Sequence, residues 1–145
     1  MRFWVFLLLF ICANALASLG DSEATVEKDR QMMHATRKMT PHETYRVHEI
    51  VEPEHKVREY VTPDGVVFAV TWRGMGQPDL QQLFGAFYQE YQEADIASHR
   101  PVGRAPKKVK STNMITEKFG HMRDVRGRAY IPNLVPAGVD LKDIK

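Results

Sequence analysis

The sequence has very little cysteine, since Cys12 is the only one among 145 residues. This residue lies near the N-terminus, next to an apolar stretch of the kind that is removed with a secretory signal peptide. Without Cys12 the rest of the chain has no thiol. That absence excludes disulfides, thiol catalysis and cysteine-based zinc sites from the remainder of the protein.

Long hydrophobic runs are absent too. The apolar run over residues 3–11 has nine residues, whereas a membrane-spanning helix needs ~20. A basic residue, Arg2, precedes this run, and the small residues Ala15 and Ala17 follow it, which is typical of a signal peptide. We therefore predict a signal peptide over residues 1–17, cleavage before Ser18, a periplasmic or secreted location and no stable membrane span.

Acylation of Cys12 is the alternative use of this segment. A lipoprotein signal carries a small residue just before its cysteine, but Leu9, Phe10 and Ile11 are bulky. The small-residue end at Ala17 therefore explains the segment better than lipidation does.

Strong net charge is also lacking. Removal of 17 residues leaves 128, which contain 19 Lys and Arg against 18 Asp and Glu. This length suits one domain with its own core, and the balance predicts no general attraction to nucleic acid or anionic membrane. The predicted organisation is a signal peptide over residues 1–17, a charged helical segment over 18–43 and a single α+β domain over 44–145.

Catalytic and cofactor motifs are missing from the sequence. Ser98, His99 and Ser111 do not lie on the strand-to-helix elbow of a serine hydrolase. The pair Gly74 and Gly76 lacks the remaining glycine and the preceding unit of a nucleotide-binding loop. We therefore predict no catalytic residues and no cofactor, and a non-enzymatic protein is favoured over an enzyme.

The six histidines do not form a ligand pair on a helix face. Two metal sites are conceivable alternatives. His48 and His55 could bind zinc across two strands, and thioether and imidazole groups could bind copper(I) in the cluster Met32, Met33, His34, Met39 and His42. Ordinary packing of methionine and surface exposure of histidine are the simpler interpretation. No metal ligands are therefore predicted.

Regular structure is predicted by apolar spacing. A charged helix is expected over residues 21–38, ended by the step from Thr40 to Pro41. Strands are predicted over residues 44–51, 56–62, 66–73, 113–119 and 125–131, with Pro63-Asp64-Gly65 as a hairpin loop. On the third strand, alternation places Val66, Phe68, Val70 and Trp72 on one face.

A second helix is predicted over residues 78–94. Pro78 and Asp79 suit its start, and its apolar residues recur at helical spacing. Gly85 within it suggests a close backbone approach, and Gly127 a bulge in the last strand. The sequence thus predicts an α+β fold, with an antiparallel sheet of four to five strands, one main helix packed on it and a looser N-terminal helix.

Residues 97–110 form a basic connector, which has no acidic residue and contains Arg100, Arg104, Lys107, Lys108 and Lys110. Such a segment is usually a solvated loop. A phosphate-rich surface or an acidic partner is the alternative ligand for it.

Several motifs resemble those of one bacterial family. They are Val57-Arg58-Glu59-Tyr60-Val61, Pro63-Asp64-Gly65, Val67-Phe68-Ala69-Val70-Thr71-Trp72, Pro78-Asp79-Leu80, Leu83-Phe84-Gly85, Gly120-His121-Met122, Gly127-Arg128-Ala129-Tyr130, Pro132 and Asp143-Ile144. Their order is similar to that of the exported-protein family called domain of unknown function 2844. This resemblance implies a signal-bearing envelope or secreted protein and no particular activity. The chain departs from the family's usual pattern at Met75 and at Arg123 with Asp124.

The function predicted from the sequence is a non-enzymatic binding module of the cell envelope. Its expected partner is another envelope or exported protein, and nucleic acid is not expected. The predicted contact residues are Arg58, Tyr60, Trp72 and Arg73, because aromatic and guanidinium groups dominate binding energy at protein interfaces. A small periplasmic protein that binds copper or zinc, or a small hydrolase, is the alternative function.

Overall fold

The computed structural model describes residues 19–23, 36–99, 102–103 and 105–145. Its centre is one seven-stranded antiparallel sheet with the strand order β1-β2-β3-β4-β7-β6-β5. The strands are β1 Thr36–Pro41, β2 Arg46–Val51, β3 His55–Val61, β4 Val67–Gly74, β5 Lys107–Lys110, β6 Ile115–His121 and β7 Asp124–Tyr130. In the described part of the chain, the connection from β4 to β5 crosses to the far edge of the sheet.

That crossing contains the helical part of the fold, α1 Leu80–Phe84 and α2 Tyr88–Ala97, joined by a 3₁₀ turn over Gly85–Phe87. The Asp79 carboxylate caps α1, since it accepts hydrogen bonds from the amides of Gln81 and Gln82. Gly85 has a φ of 49°, in the left-handed region that favours glycine. The predicted single helix is therefore interrupted at Gly85, because a positive φ is incompatible with a continuous right-handed helix.

The side of the sheet that α1 and α2 cover is called the helix face. Its core contains the buried residues Leu19, Val57, Val61, Val67, Val70, Trp72, Leu80, Leu83, Phe84, Tyr91, Val109, Met114, Ala129 and Ile131. At the centre of this core, Phe84 packs against Trp72 and against Tyr91, with ring centroids 5.9 and 5.0 Å apart. Buried aromatic rings at these separations contribute a large share of core stability.

The opposite side is called the tail face, because residues 132–145 pack on one end of it. Tyr60, Phe68, Ala69, Tyr130 and Ile144 form the buried core of this face. The helix face is therefore covered by α1 and α2, and the tail face is partly covered by the C-terminal segment.

A bulge in β4 decides which residues belong to each face. Tyr60 pairs with Ala69 and Val61 pairs with Val67, so Phe68 is the extra residue between them. Phe68 lies on the tail face together with Ala69, whereas Val67, Val70 and Trp72 lie on the helix face. The predicted alternation is wrong at Phe68, because a bulge reverses the period of two.

Residues 19–23 close the helix face beside β4. The amide of Gly20 donates to the Val67 oxygen over 2.8 Å, and Leu19 is buried in the core. The Glu23 carboxylate accepts from Arg46 Nη2 over 2.5 Å and lies 2.6 Å from Nε2 of the buried His48. Hydrogen bonding by Arg46 lowers the pKa of Glu23, and burial lowers the pKa of His48. This cluster ties the segment to β2.

The predicted fold class is wrong in two respects. The sheet has seven strands instead of four to five, and Thr36–Pro41, where the predicted N-terminal helix should end, is strand β1. Pairing of β1 with β2 along its whole length outweighs a weak helical pattern. The middle of the predicted helix, residues 24–35, lies outside the described residues.

The predicted basic connector contains strand β5. In it Val109 is buried on the helix face, while Lys108 and Lys110 are exposed. Lys107 reaches the Asp95 carboxylate over 2.9 Å. Buried and exposed positions therefore alternate in this strand. The sequence does not show this alternation, because lysine occupies positions on both faces.

Candidate functional site

The strand register of the tail face arranges its side chains in three rows that run across the sheet. The inner row is apolar and consists of Val47, Tyr60, Ala69, Tyr130 and Ile115. The buried side chain of Ile144 packs on this row. The C-terminal segment therefore packs on the inner row, which is part of the core.

The middle row consists of Glu49, Arg58, Thr71, Arg128 and Glu117, so that an arginine and a glutamate are neighbours on each side of Thr71. Arg58 Nε donates to Glu49 over 2.8 Å, and Arg128 Nε donates to Glu117 over 2.7 Å. Each guanidinium at the centre of the row is thus paired with a carboxylate on the neighbouring strand, which is a favourable cross-strand arrangement.

The outer row places three cations side by side on neighbouring strands. Lys56 pairs in register with Arg73, and Arg73 pairs with Arg126. Val51 and Phe119 continue this row on either side. Like charges directly opposite one another destabilise a sheet, and adjacent strands are only about 4.8 Å apart. Repulsion among the three cations of the outer row therefore destabilises the folded sheet.

Each of two carboxylates on this face pairs with two basic side chains. Asp124 accepts from Arg73 Nε over 3.1 Å and from Arg126 Nη2 over 2.5 Å, and Glu49 serves both Arg58 and Lys56. Hydrogen bonding by Arg126 lowers the pKa of Asp124, and hydrogen bonding by Arg58 lowers the pKa of Glu49. Both carboxylates are therefore charged at neutral pH, and an excess of positive charge remains.

An open groove of about 1070 Å³ lies over the middle and outer rows and is bounded by the C-terminal residues. Seven basic and two acidic residues line this groove. Two exposed apolar side chains, Met75 and Phe119, lie at its rim. A concave surface with unbalanced positive charge and exposed apolar groups suits an anionic ligand that also buries some apolar area.

The four predicted contact residues are separated by the fold. Trp72 is buried on the helix face against Phe84, and Tyr60 is buried on the tail face, where its hydroxyl bonds Lys145. The side chain of Arg58 is engaged by Glu49 and by the Lys145 oxygen, which accepts from Nη1 over 2.8 Å. Arg73 is the most open of the four, with 63% of its side chain exposed. That these residues bind a partner stays a prediction.

The suggested metal ligands do not come together where the structure describes them. His48 is paired in register with Glu59, not with His55. Met39 lies on β1 and His42 stacks on Tyr45, while the remaining members of the copper cluster lie outside the described residues. Within residues 19–23, 36–99, 102–103 and 105–145, no group of three or more potential His, Cys, Asp or Glu ligands occurs.

Two members of the site were missed by the sequence reasoning, Lys56 and Arg126. They are distant in sequence and become neighbours of Arg73 only through the register of three strands. A weak signal is present, because both residues occupy alternate positions in predicted strands whose other face carries mostly apolar residues.

The sequence model of one protein family matches residues 15–144 of the chain. The chain belongs to this family, which is described as a protein of unknown function, DUF2844. The predicted family is thus confirmed, and no activity comes with it. Comparison with curated proteins and with solved structures finds no match. Among the described residues, no helix has the length and apolar character needed to cross a membrane.

Proposed function

We propose that this DUF2844 protein is an exported, non-enzymatic binding module that engages another envelope or exported protein through the groove on its tail face. The observation that carries the proposal is the outer row, in which Lys56, Arg73 and Arg126 lie side by side. Because their mutual repulsion is a cost to the fold, a gain from binding an acidic partner explains the arrangement.

Export is the first part of the proposal and rests on the signal peptide predicted from residues 1–17. In a bacterial host, we expect the protein recovered from the periplasm to begin at Ser18, because Ala15 and Ala17 occupy the positions that signal peptidase reads. N-terminal sequencing of the periplasmic protein is the measurement. A chain that starts upstream of Ala15, or that stays in the cytoplasm, would contradict export.

Partner binding is the second part. We expect Arg73→Gln combined with Arg126→Gln to abolish capture of an exported protein from envelope extract, because two neighbouring charges of the outer row are removed. Crosslinking followed by mass spectrometry identifies what is captured. A matched control is Lys38→Gln with Lys110→Gln, which removes the same charge from two exposed lysines on the edge strands β1 and β5 that form no ion pair with a described residue.

The outer-row variant is expected to keep its thermal midpoint, since Arg73 and Arg126 lie at the surface and oppose each other in register. Equal capture by the outer-row variant and the wild type would show that the groove is not the contact surface. Arg58 is left unchanged in this experiment, because it anchors the C-terminal segment and its loss would mix stability with binding.

A further inference from the structure

The C-terminal segment shows how this sheet holds a peptide. It crosses the tail face from β7 toward β3, and the arginines of the middle row donate to its main-chain oxygens. Arg128 Nη1 donates to the Leu141 oxygen over 2.6 Å and to the Ile144 oxygen over 3.3 Å. Arg58 Nη1 donates to the Lys145 oxygen over 2.8 Å. The chain therefore carries its own bound segment on this face.

Each middle-row arginine has two partners of different kinds. Its Nε donates to a carboxylate of the sheet, Glu49 for Arg58 and Glu117 for Arg128. Its Nη1 donates to main-chain oxygens of the C-terminal segment. The carboxylate fixes the guanidinium plane, and the fixed plane presents a donor to a peptide.

The outer-row arginines repeat the first half of this arrangement. Arg73 Nε and Arg126 Nε both donate to Asp124 Oδ1, over 3.1 and 3.0 Å. No described residue accepts a hydrogen bond from Nη1 of either arginine. Both arginines line a strip of the groove beside the C-terminal segment, with Met75 and Phe119 at its rim, and their Nη1 groups are available there as donors.

We propose that this strip binds an acidic peptide segment of the partner protein, which lies across β3, β4 and β7 alongside residues 141–145. Arg73 and Arg126 donate through Nη1 to its main-chain or carboxylate oxygens, as Arg58 and Arg128 do for the C-terminal segment. Lys56 adds a third positive charge in line with them. This inference rests on the proposed function and specifies the chemical class of its ligand.

The test uses a fluorescein-labelled decapeptide of alternating glutamate and serine, and fluorescence anisotropy with the purified protein. We expect Arg73→Gln with Arg126→Gln to weaken binding of this peptide roughly tenfold or more. Arg73→Lys with Arg126→Lys is expected to weaken it clearly as well, because lysine keeps the charge and loses the planar fork. Lys38→Gln with Lys110→Gln, on the two edge strands, should leave the affinity within about twofold.

Three results would overturn the inference. The first is peptide binding that is unaffected by the glutamine pair, and the second is full binding by the lysine pair, which would mean that only charge matters. The third is equal, outer-row-dependent binding of tripolyphosphate or phosphatidylglycerol vesicles, which would make the groove a general anion or membrane surface. If an exported protein is captured through the outer row but the decapeptide does not bind, the proposed function stands and the peptide class is wrong.

Discussion

Replacement of Phe84 by alanine is expected to lower the free energy of unfolding by about 3–5 kcal/mol. The Phe84 side chain is fully buried and lies between Trp72 on β4 and Tyr91 on α2. Its removal leaves a cavity at the place where both helices meet the sheet, and the surrounding rings cannot close around it without leaving their own contacts. Urea unfolding followed by tryptophan fluorescence gives the free energy directly.

Ile96→Ala is the matched control for this experiment. Ile96 is an apolar residue of α2, but it is 85% exposed, so its truncation removes little buried area. We expect the free energy of unfolding of this variant to stay within a few tenths of a kcal/mol of the wild type. If Phe84→Ala and Ile96→Ala unfold at the same urea concentration, α1 does not cover the sheet as described.

The features of the fold that the sequence predicts correctly are those determined by a few neighbouring residues. Gly65 adopts a φ of 85° in the loop of the β3–β4 hairpin, as Pro63-Asp64-Gly65 predicts. Asp79 lies at the start of a helix, as predicted, where its side chain caps α1. In both places one or two residues determine the backbone conformation, so a short window of sequence is sufficient.

The parts that were missed depend on distant partners. The edge strands β1 and β5 have lysine or arginine on both faces, and only their pairing with β2 and β6 defines them as strands. Basic residues at sheet edges also discourage pairing with other chains. From composition alone, such strands are therefore predicted as a charged helix or as a loop.

The candidate site could not be predicted for a related reason. A row across a sheet takes one residue from each strand, so its members are scattered in sequence and one bulge moves half a strand to the other face. Arg73 was predicted as a contact residue, but its neighbours Lys56 and Arg126 follow only from the register. Aromatic side chains were predicted to share this surface, and Trp72 instead lies on the helix face.

Gly127→Ala is expected to destabilise the protein by about 1–3 kcal/mol or more, because a methyl group at this position overlaps the Trp72 indole. Gly127 pairs with Trp72 and with Lys118 without any shift in register. The predicted bulge at Gly127 is therefore wrong, and glycine is required there by the ring that lies against it. Thermal unfolding and urea titration measure the loss.

Two further variants decide whether the indole is the cause. Gly76→Ala is the control, since its added methyl would have its nearest neighbour 3.7 Å away, and we expect its midpoint to change little. Trp72→Phe placed together with Gly127→Ala is expected to recover part of the lost stability, because phenylalanine is smaller. Trp72 Nε1 is also buried without a hydrogen-bond partner among the described residues, so its removal leaves no new unsatisfied group. Strictly additive effects of the two substitutions would show that Gly127 is needed for some other reason.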